Sequence, residues 1–454
     1  MREKVAIVTL GCEKNRIDSE IMADLLERRG YVLVDDVREA TVAVVNTCGF
    51  IDLAKEESIQ TILEAAELKR DRLKSLIVTG CLVQRYQEVL LEEMPEIDGL
   101  VGTGDFDRIV EAVEAALAGK RPVLVGHPAI SYEALSRRVT PGPSAYVKIA
   151  EGCNHRCTFC AIPLMRGRLR SRSIPSIVRE VEALVARGVK EVSLIAQDLS
   201  SYGLDTERRF MLPALLRALD RIEGLEWVRL HYVYPGALTE ALLRTMAESR
   251  TVVPYLDMPL QHSVDRLLRA MKRPHGGADV RRLIERVRAV LPDVAIRSSF
   301  IVGFPGETED DFEALLRFLS DVELDRVGVF TYSPEDGTPA AAYPDPVPDA
   351  VKEARALRLI EHQRPITQKK NAARIGRVVP VLIERLDAEA GVAYGRTPYD
   401  APEVDGEISV SGYAGPTGVI VPVRVTHAFD YDLAGVYVPE ATGDRSPADR
   451  AVGG

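Results

Sequence analysis

Glu151-Gly152-Cys153-Asn154-His155-Arg156-Cys157-Thr158-Phe159-Cys160 is the stretch whose reading decides the fold. Three thiols fall within eight residues, spaced CxxxCxxC, directly after an apolar run at 145–150 that predicts a β-strand. A closed structural zinc site takes four ligands, commonly from two short-spaced pairs. The local thiol count stops at three, with His155 as the alternative fourth ligand inside the loop. Three thiolates are what a cubane iron–sulfur cluster needs when one iron stays open to a non-protein ligand. A ligand-bearing loop straight after a strand is also where βα barrels keep their chemistry.

Downstream, strands at 191–196, 228–232, 254–258, 295–302 and 326–332 alternate with helices at 176–187, 239–248, 263–271, 278–290 and 308–321. Some six βα units suit a complete or partial TIM-type barrel over 144–370. Polar residues at the strand ends then face the cluster loop: Gln197-Asp198, His231 with Tyr232, Gln261-His262, and Gly303 to Glu307. Among these, Gln197 and Gly303 are the cofactor-contact candidates. Arg166, Arg168, Arg170 and Arg172 follow the loop. They either meet a cofactor or substrate carboxylate or form a solvated basic rim.

Upstream, strands at 5–10, 41–46 and 76–79 alternate with helices at 18–29, 53–70 and 106–118, Asp18 reading as a cap and Gly30 as a stop. This predicts a parallel α/β sheet domain over 1–118. Cys12, Cys48 and Cys81 each follow one of the three strands. Free cysteines acting as small buried hydrophobes belong inside strands rather than at three successive strand ends. In an open parallel sheet the carboxyl ends share one edge, where ligands bind, so these three predict a second three-thiolate site. Residues 119–143 read as a linker. After a long helix at 350–373, short strands at 378–386, 392–396, 406–410, 418–426 and 432–438 predict a small antiparallel β-barrel of OB-like type over 371–438. The tail 439–454 reads as disordered.

With 454 residues, 46% hydrophobic and 28% charged, the composition is that of a soluble multidomain protein. No apolar run has the length to span a membrane. The segment 5–12 is too short for a signal-peptide core, and Glu3 stands where positive charge should dominate. The expected location is therefore cytoplasmic, and the six cysteines are reduced rather than disulfide-bonded. A net charge of −10 disfavours stable nucleic-acid binding and suits a basic protein partner. From 377 to 438 four arginines stand against nine carboxylates, leaving −5 on the small barrel.

The segments 10–20, 46–52, 157–167, 255–262 and 300–308 resemble the methylthiotransferases of the radical S-adenosylmethionine (SAM) superfamily, and the likeness covers nearly the whole chain. Asn46-Thr-Cys-Gly-Phe-Ile-Asp52 and Met165-Arg-Gly-Arg-Leu-Arg-Ser-Arg172 tilt it to the RimO-type branch. The family order is an N-terminal cluster domain, a radical SAM barrel and a C-terminal TRAM β-barrel. The resemblance implies two 4Fe–4S clusters. Cys153, Cys157 and Cys160 would hold the one that binds SAM and cleaves it to a 5′-deoxyadenosyl radical, with Phe159 bordering the adenine. Cys12, Cys48 and Cys81 would hold an auxiliary cluster that donates sulfur, which a second SAM methylates. The implied substrate is the β-carbon of an aspartate in the twelfth small-subunit ribosomal protein, free or in the ribosome. An electron donor of flavodoxin or ferredoxin type and a sulfur source are implied partners. Two alternatives remain open: a tRNA methylthiotransferase with the same clusters, and a non-enzymatic zinc-binding or ribosome-associated module.

Overall fold

The six strands that open the chain are β1 (Lys4–Thr9), β2 (Val32–Leu33), β3 (Val42–Thr47), β4 (Ser75–Gly80), β5 (Gly99–Val101) and β6 (Val123–Leu124). They form one parallel sheet in the order β2-β1-β3-β4-β5-β6. The structure, a computed structural model, describes residues 3–133 and 135–439; the tail from Glu440 lies outside them. Contacts divide the chain into two units, Met1–Gln363 and Arg364–Gly454.

Strand alternation builds a core on each face of this sheet. Val42, Val44 and Ile77 pack to one side with Ile17, Ile21, Ile109 and Val113. Ala43, Val45, Leu76 and Val78 pack to the other with Ile62, Leu82 and Val83. Every residue of β3 is buried, as a central strand covered on both faces requires. The order places a topological switch point between β1 and β3, where such sheets bind ligands.

A helix follows each cysteine-bearing strand end: α1 (Glu13–Arg29), α2 (Asp52–Glu67) and α3 (Cys81–Glu93). The first starts five residues earlier than expected. Asp18 does not cap it: it lies in the second turn, and its buried side chain serves as a counter-ion. Residues 119–143 do more than connect. Val123–Leu124 is the sixth strand, Tyr132 is buried, and Arg137 pairs with Glu20 and Glu180.

The central sheet is also parallel. Its strands are β7 (Ser144–Lys148), β10 (Glu191–Ile195), β11 (Trp227–Leu230), β12 (Val252–Asp257), β13 (Ala295–Val302) and β14 (Arg326–Thr331), in the order β14-β13-β12-β11-β10-β7. It is an open, partial barrel. Between β7 and β10 the chain inserts a hairpin of β8 (Ala150–Glu151) and β9 (Arg170–Ser171), and the Cys153–Cys160 motif lies in its loop.

The second unit carries a five-stranded closed barrel of β15 (Val378–Asp387), β16 (Val392–Arg396), β17 (Ile408–Ser411), β18 (Ile420–Ala428) and β19 (Leu433–Tyr437). Its pairing is antiparallel except between β17 and β19, which run parallel. No helix among the described residues is long and apolar enough to cross a membrane.

Candidate cluster sites and active site

Cys12, Cys48 and Cys81 come together at the switch point. The register pairs Thr9 with Asn46 and Thr47 with Gly80, so the three thiols leave neighbouring strand ends on the same edge. Cys12 is the N-cap of α1 and Cys81 the first residue of α3. Helix N-termini favour the thiolate form that binds metal. Backbone approach is close: Gly11, at φ +83°, would put a Cβ 2.8 Å from the Cys48 Cβ.

Asn15 stitches these ends together. Its Nδ2 donates to the carbonyls of Leu10 at 2.9 Å and Thr47 at 3.0 Å, and the Cys81 Sγ lies 3.9 Å from its Oδ1. Ser58 accepts from the Cys48 amide at 3.1 Å and donates to the Cys48 carbonyl at 2.9 Å. Burial, with the neighbouring Cys81, pushes the Cys48 thiol up to about 12, and burial raises Cys81 as well. Unmetallated, both are therefore thiols at neutral pH.

Cys153, Cys157 and Cys160 form the second set. The Cys153 amide donates to the Gly167 carbonyl at 3.1 Å, and the Cys153 Sγ accepts from the His155 amide at 3.4 Å. The loop is pinned from several strand ends. Thr158 donates to the carbonyls of Met271 and Ala270. Arg273 reaches the Cys157 Sγ at 3.7 Å while stacking on Tyr234. His155 stacks on Tyr234 at 3.9 Å and bonds Asp198 at 2.7 Å. Its ring nitrogen Nε2 is thus engaged by a carboxylate, which leaves Nδ1 as the one nitrogen open to a ligand role. Burial raises Cys153 and Cys160 to about 12.

The other candidates take specific places. Phe159 packs with Leu267, Met271, Phe304 and Tyr332 beside the loop. Gln197 accepts from the Gly152 amide at 2.7 Å and donates to Glu151, so it braces the neck of the cysteine loop. Gly303, at φ +76°, has the Lys352 stem where a side chain would go, and its amide donates to Glu307 at 2.9 Å. His231, Arg273 and His275 each keep a buried nitrogen without a hydrogen-bond partner; a polar ligand at the strand ends would satisfy such groups. The four arginines split. Arg168 is exposed, whereas Arg166 and Arg172 are buried and paired with Asp18 and Glu180. The solvated rim therefore accounts for only part of this run.

Sequence reasoning missed the group that joins the two cysteine sets. Lys148 bonds Asp18 at 2.6 Å, Glu151 at 2.7 Å and the Tyr132 hydroxyl at 2.8 Å. Arg166 bonds Asp18 at 2.6 Å and also reaches Asn15. Cys81 is packed in one small cluster with Ala161 and Met165, on the segment that begins directly after Cys160. The two thiol sets are therefore neighbours. Cys12 belongs to the same region, since Lys14 lies 3.5 Å over the Tyr232 ring at the end of β11. Burial pushes Glu13 up, but Lys14 at 2.6 Å draws it down to about 2. No trio of His, Cys, Asp or Glu side chains among the described residues is gathered as a single-ion site. The fit to clusters rests on the donor chemistry, three thiols in each set and the glycine-lined approach at Cys48.

Comparison with known proteins fits this geometry. Family models match in the order found in the structure: "Uncharacterized protein family UPF0004" over residues 4–102, "Radical SAM superfamily" over 147–319 and "TRAM domain" over 375–438. The chain is 48% identical over 438 residues to "Ribosomal protein uS12 methylthiotransferase RimO" of Thermosynechococcus vestitus, covering 96% of this chain and 97% of the relative. It is 47% identical to the protein of the same name in Desulforamulus reducens, over 95% and 98%. The chain belongs to the RimO-type methylthiotransferases. As a member of that family it is a radical SAM enzyme, whose chemistry uses an iron–sulfur cluster and SAM. Among solved structures, the radical SAM methyltransferase TsrM from Kitasatospora setae matches with a TM-score of 0.56 at 16% identity, over 75% of this chain and 74% of that one. The cobalamin-dependent radical enzyme OxsB matches at 0.50 and 12%, over 80% and 56%. At such identities they speak for the fold of this RimO-type chain alone.

Proposed function

We propose that this RimO-type enzyme carries two 4Fe–4S clusters and attaches a methylthio group to the β-carbon of an aspartate in ribosomal protein uS12. The observation that carries the two-cluster reading is the adjacency of two three-thiol sets, each at the carboxyl edge of its own parallel sheet. When bound, the clusters and SAM supply one-electron cleavage of SAM, hydrogen abstraction from carbon, and a sulfur atom to be methylated and transferred.

The chain's own residues hold and enclose. Cys153, Cys157 and Cys160 would ligate the radical-generating cluster, and Cys12, Cys48 and Cys81 the auxiliary one. Asn15 and Ser58 fix the auxiliary loops. Gln197 fixes the neck of the other loop, and Arg273 donates towards its sulfur. Phe159 and its apolar neighbours form the dry wall against which a SAM adenine would lie, and Gly303 marks the end of β13. Burial keeps His231 neutral, down to about 3, so it offers an uncharged imidazole directly after the end of β11.

Support for a protein substrate comes from the names of the relatives and from charge. The small barrel carries −5 overall, and Glu389, Glu403, Glu407 and Asp432 are exposed on it. Single-stranded RNA binders instead track the backbone with a positive groove. An acidic surface favours a basic ribosomal protein.

The test offers purified uS12 and unmodified tRNA in parallel to the reconstituted, reduced enzyme with SAM, followed by mass spectrometry. A methylthio gain on a uS12 aspartate is expected. A gain on tRNA alone would keep the chemistry and refute the substrate.

A further inference from the structure

Arg166 is the buried cation nearest the first thiol set that does not come from the same domain. It ends a short helix, Ile162–Arg166, that starts two residues after Cys160. Only 4% exposed, it sends one arm of its guanidinium to Asp18 at 2.6 Å and the other to the Asn15 Oδ1. That same oxygen lies 3.9 Å from the Cys81 Sγ. Met165 and Ala161, from the same segment, pack in one cluster with Cys81. Arg166, Lys148, Asp18 and Glu151 form a set of two cations and two anions, all at most 4% exposed except where Asp18 reaches 5% at its side chain. The set is neutral only while Arg166 is present.

We propose that Arg166 is a positioning residue for the auxiliary cluster: it locks the Cys81 side of that site against the radical-cluster loop and places a buried positive charge beside the Cys81 sulfur that favours the reduced cluster. The physical basis is general. Cluster potentials respond to net charge, to hydrogen bonds at sulfur and to solvent exposure, and in a dry interior a charge acts over its neighbours with little screening. Without Arg166 the set is left with one excess buried anion, and adding an electron to an adjacent cluster becomes harder. The arrangement has a counterpart in the other set, where Arg273 stands 3.7 Å from the Cys157 sulfur. Because Arg166 comes from the barrel and Cys81 from the N-terminal sheet, one residue ties the electronic state of one site to the seating of the other.

This inference rests on the reading that Cys12, Cys48 and Cys81 hold a cluster, and its test separates the two. The full-length chain with Cys153, Cys157 and Cys160 replaced by alanine is reconstituted, so that only the auxiliary cluster remains, and its potential is followed by electron paramagnetic resonance. A colourless, iron-free protein in this background refutes the cluster reading itself. With the cluster loaded, R166Q is expected to lower the reduced-to-oxidised ratio at fixed solution potential at least tenfold, about 59 mV for a one-electron couple. R166K keeps the cation but not the fork that reaches both Asp18 and Asn15, and is expected to lower the ratio clearly less than R166Q does. Should R166Q fail to load, D18N/R166M removes both charges of the pair and leaves no unpaired carboxylate, a change that buried pairs commonly tolerate. It is expected to show a smaller fall in the same direction, because the cation that reaches Asn15 is lost together with the carboxylate it neutralises. An unchanged potential in a loaded R166Q or D18N/R166M protein overturns the proposal. So does an equal shift in R166K and R166Q, and so does failure of both neutral variants to load while R166K loads normally, since each outcome leaves Arg166 a merely structural role.

Discussion

Arg166, six residues beyond Cys160, donates to Asp18, six residues beyond Cys12, at 2.6 Å across the join between the two parallel sheets. Each partner thus follows a cysteine of a different set, and their ion pair holds the two sets together. An uncompensated half of such a pair is costly, since removing one partner strands the other charge in the interior.

Gly11 has a left-handed backbone and no room for a side chain. G11A is expected to destabilise the apo protein by about 1–3 kcal/mol, because its Cβ would meet Cys48 at 2.8 Å. The iron bound by the Cys12 set should fall more than that bound by the Cys153 set. Denaturant unfolding and iron analysis check both parts.

The buried thiols make the apo protein sensitive to alkali. Cys48, Cys153 and Cys160 titrate at about 12 in the folded chain, burial being the first cause, against about 8.5 when unfolded. Between these values the folded state binds more protons, so apo stability is lost as pH rises from about 8.5. Reconstitution should reverse this sensitivity and release protons, because ligating thiols must ionise. Unfolding of apo and loaded protein from pH 7 to 10, with proton release measured during loading, checks the sign.

Two histidines set the acid side. Burial lowers His231 to about 3 and His275 to about 4, below the ordinary value near 6.5. The unfolded chain therefore binds the extra protons, and stability falls as pH drops from about 6.5 towards 4. Each histidine contributes up to about 1.4 kcal/mol per pH unit. H231Q should flatten the slope of stability against pH in that window, with H275Q adding to the effect.

Gln197 discriminates bracing from mere space filling. Its oxygen accepts from the Gly152 amide and its nitrogen donates to Glu151, which Lys148 and Arg166 hold ionised at about 2 although burial opposes them. Q197E keeps the acceptor but sets a carboxylate against a buried carboxylate. It should lose more radical-cluster loading than Q197A, by about tenfold at neutral pH, and recover partly at pH 5 as the new carboxyl protonates.

Much of the fold was legible in the sequence because local signals carried it. Strand 295–302 is observed as Ala295–Val302 and strand 392–396 as Val392–Arg396, both bounded by turn formers. The six thiols were legible because strand ends of a parallel sheet converge whatever the intervening chain does. Short elements escaped: β5 and β6 are three and two residues long, too brief for any periodicity. The charged join escaped for a different reason. Asp18 and Lys148 stand 130 residues apart, and a residue's type and periodicity give the face it points to but not its partner. Asp18 even carried a misleading signal, since an aspartate near a helix start reads as a cap until its burial is seen.

The most direct measurement is iron content with Mössbauer spectroscopy on the reconstituted full-length protein and on C12A/C48A/C81A. Two adjacent cluster sites predict about eight irons per chain, as two cubanes, falling to about four in the triple variant, which still cleaves SAM but forms no methylthio product. About four irons in the unaltered chain, unchanged in the triple variant, would contradict the second site.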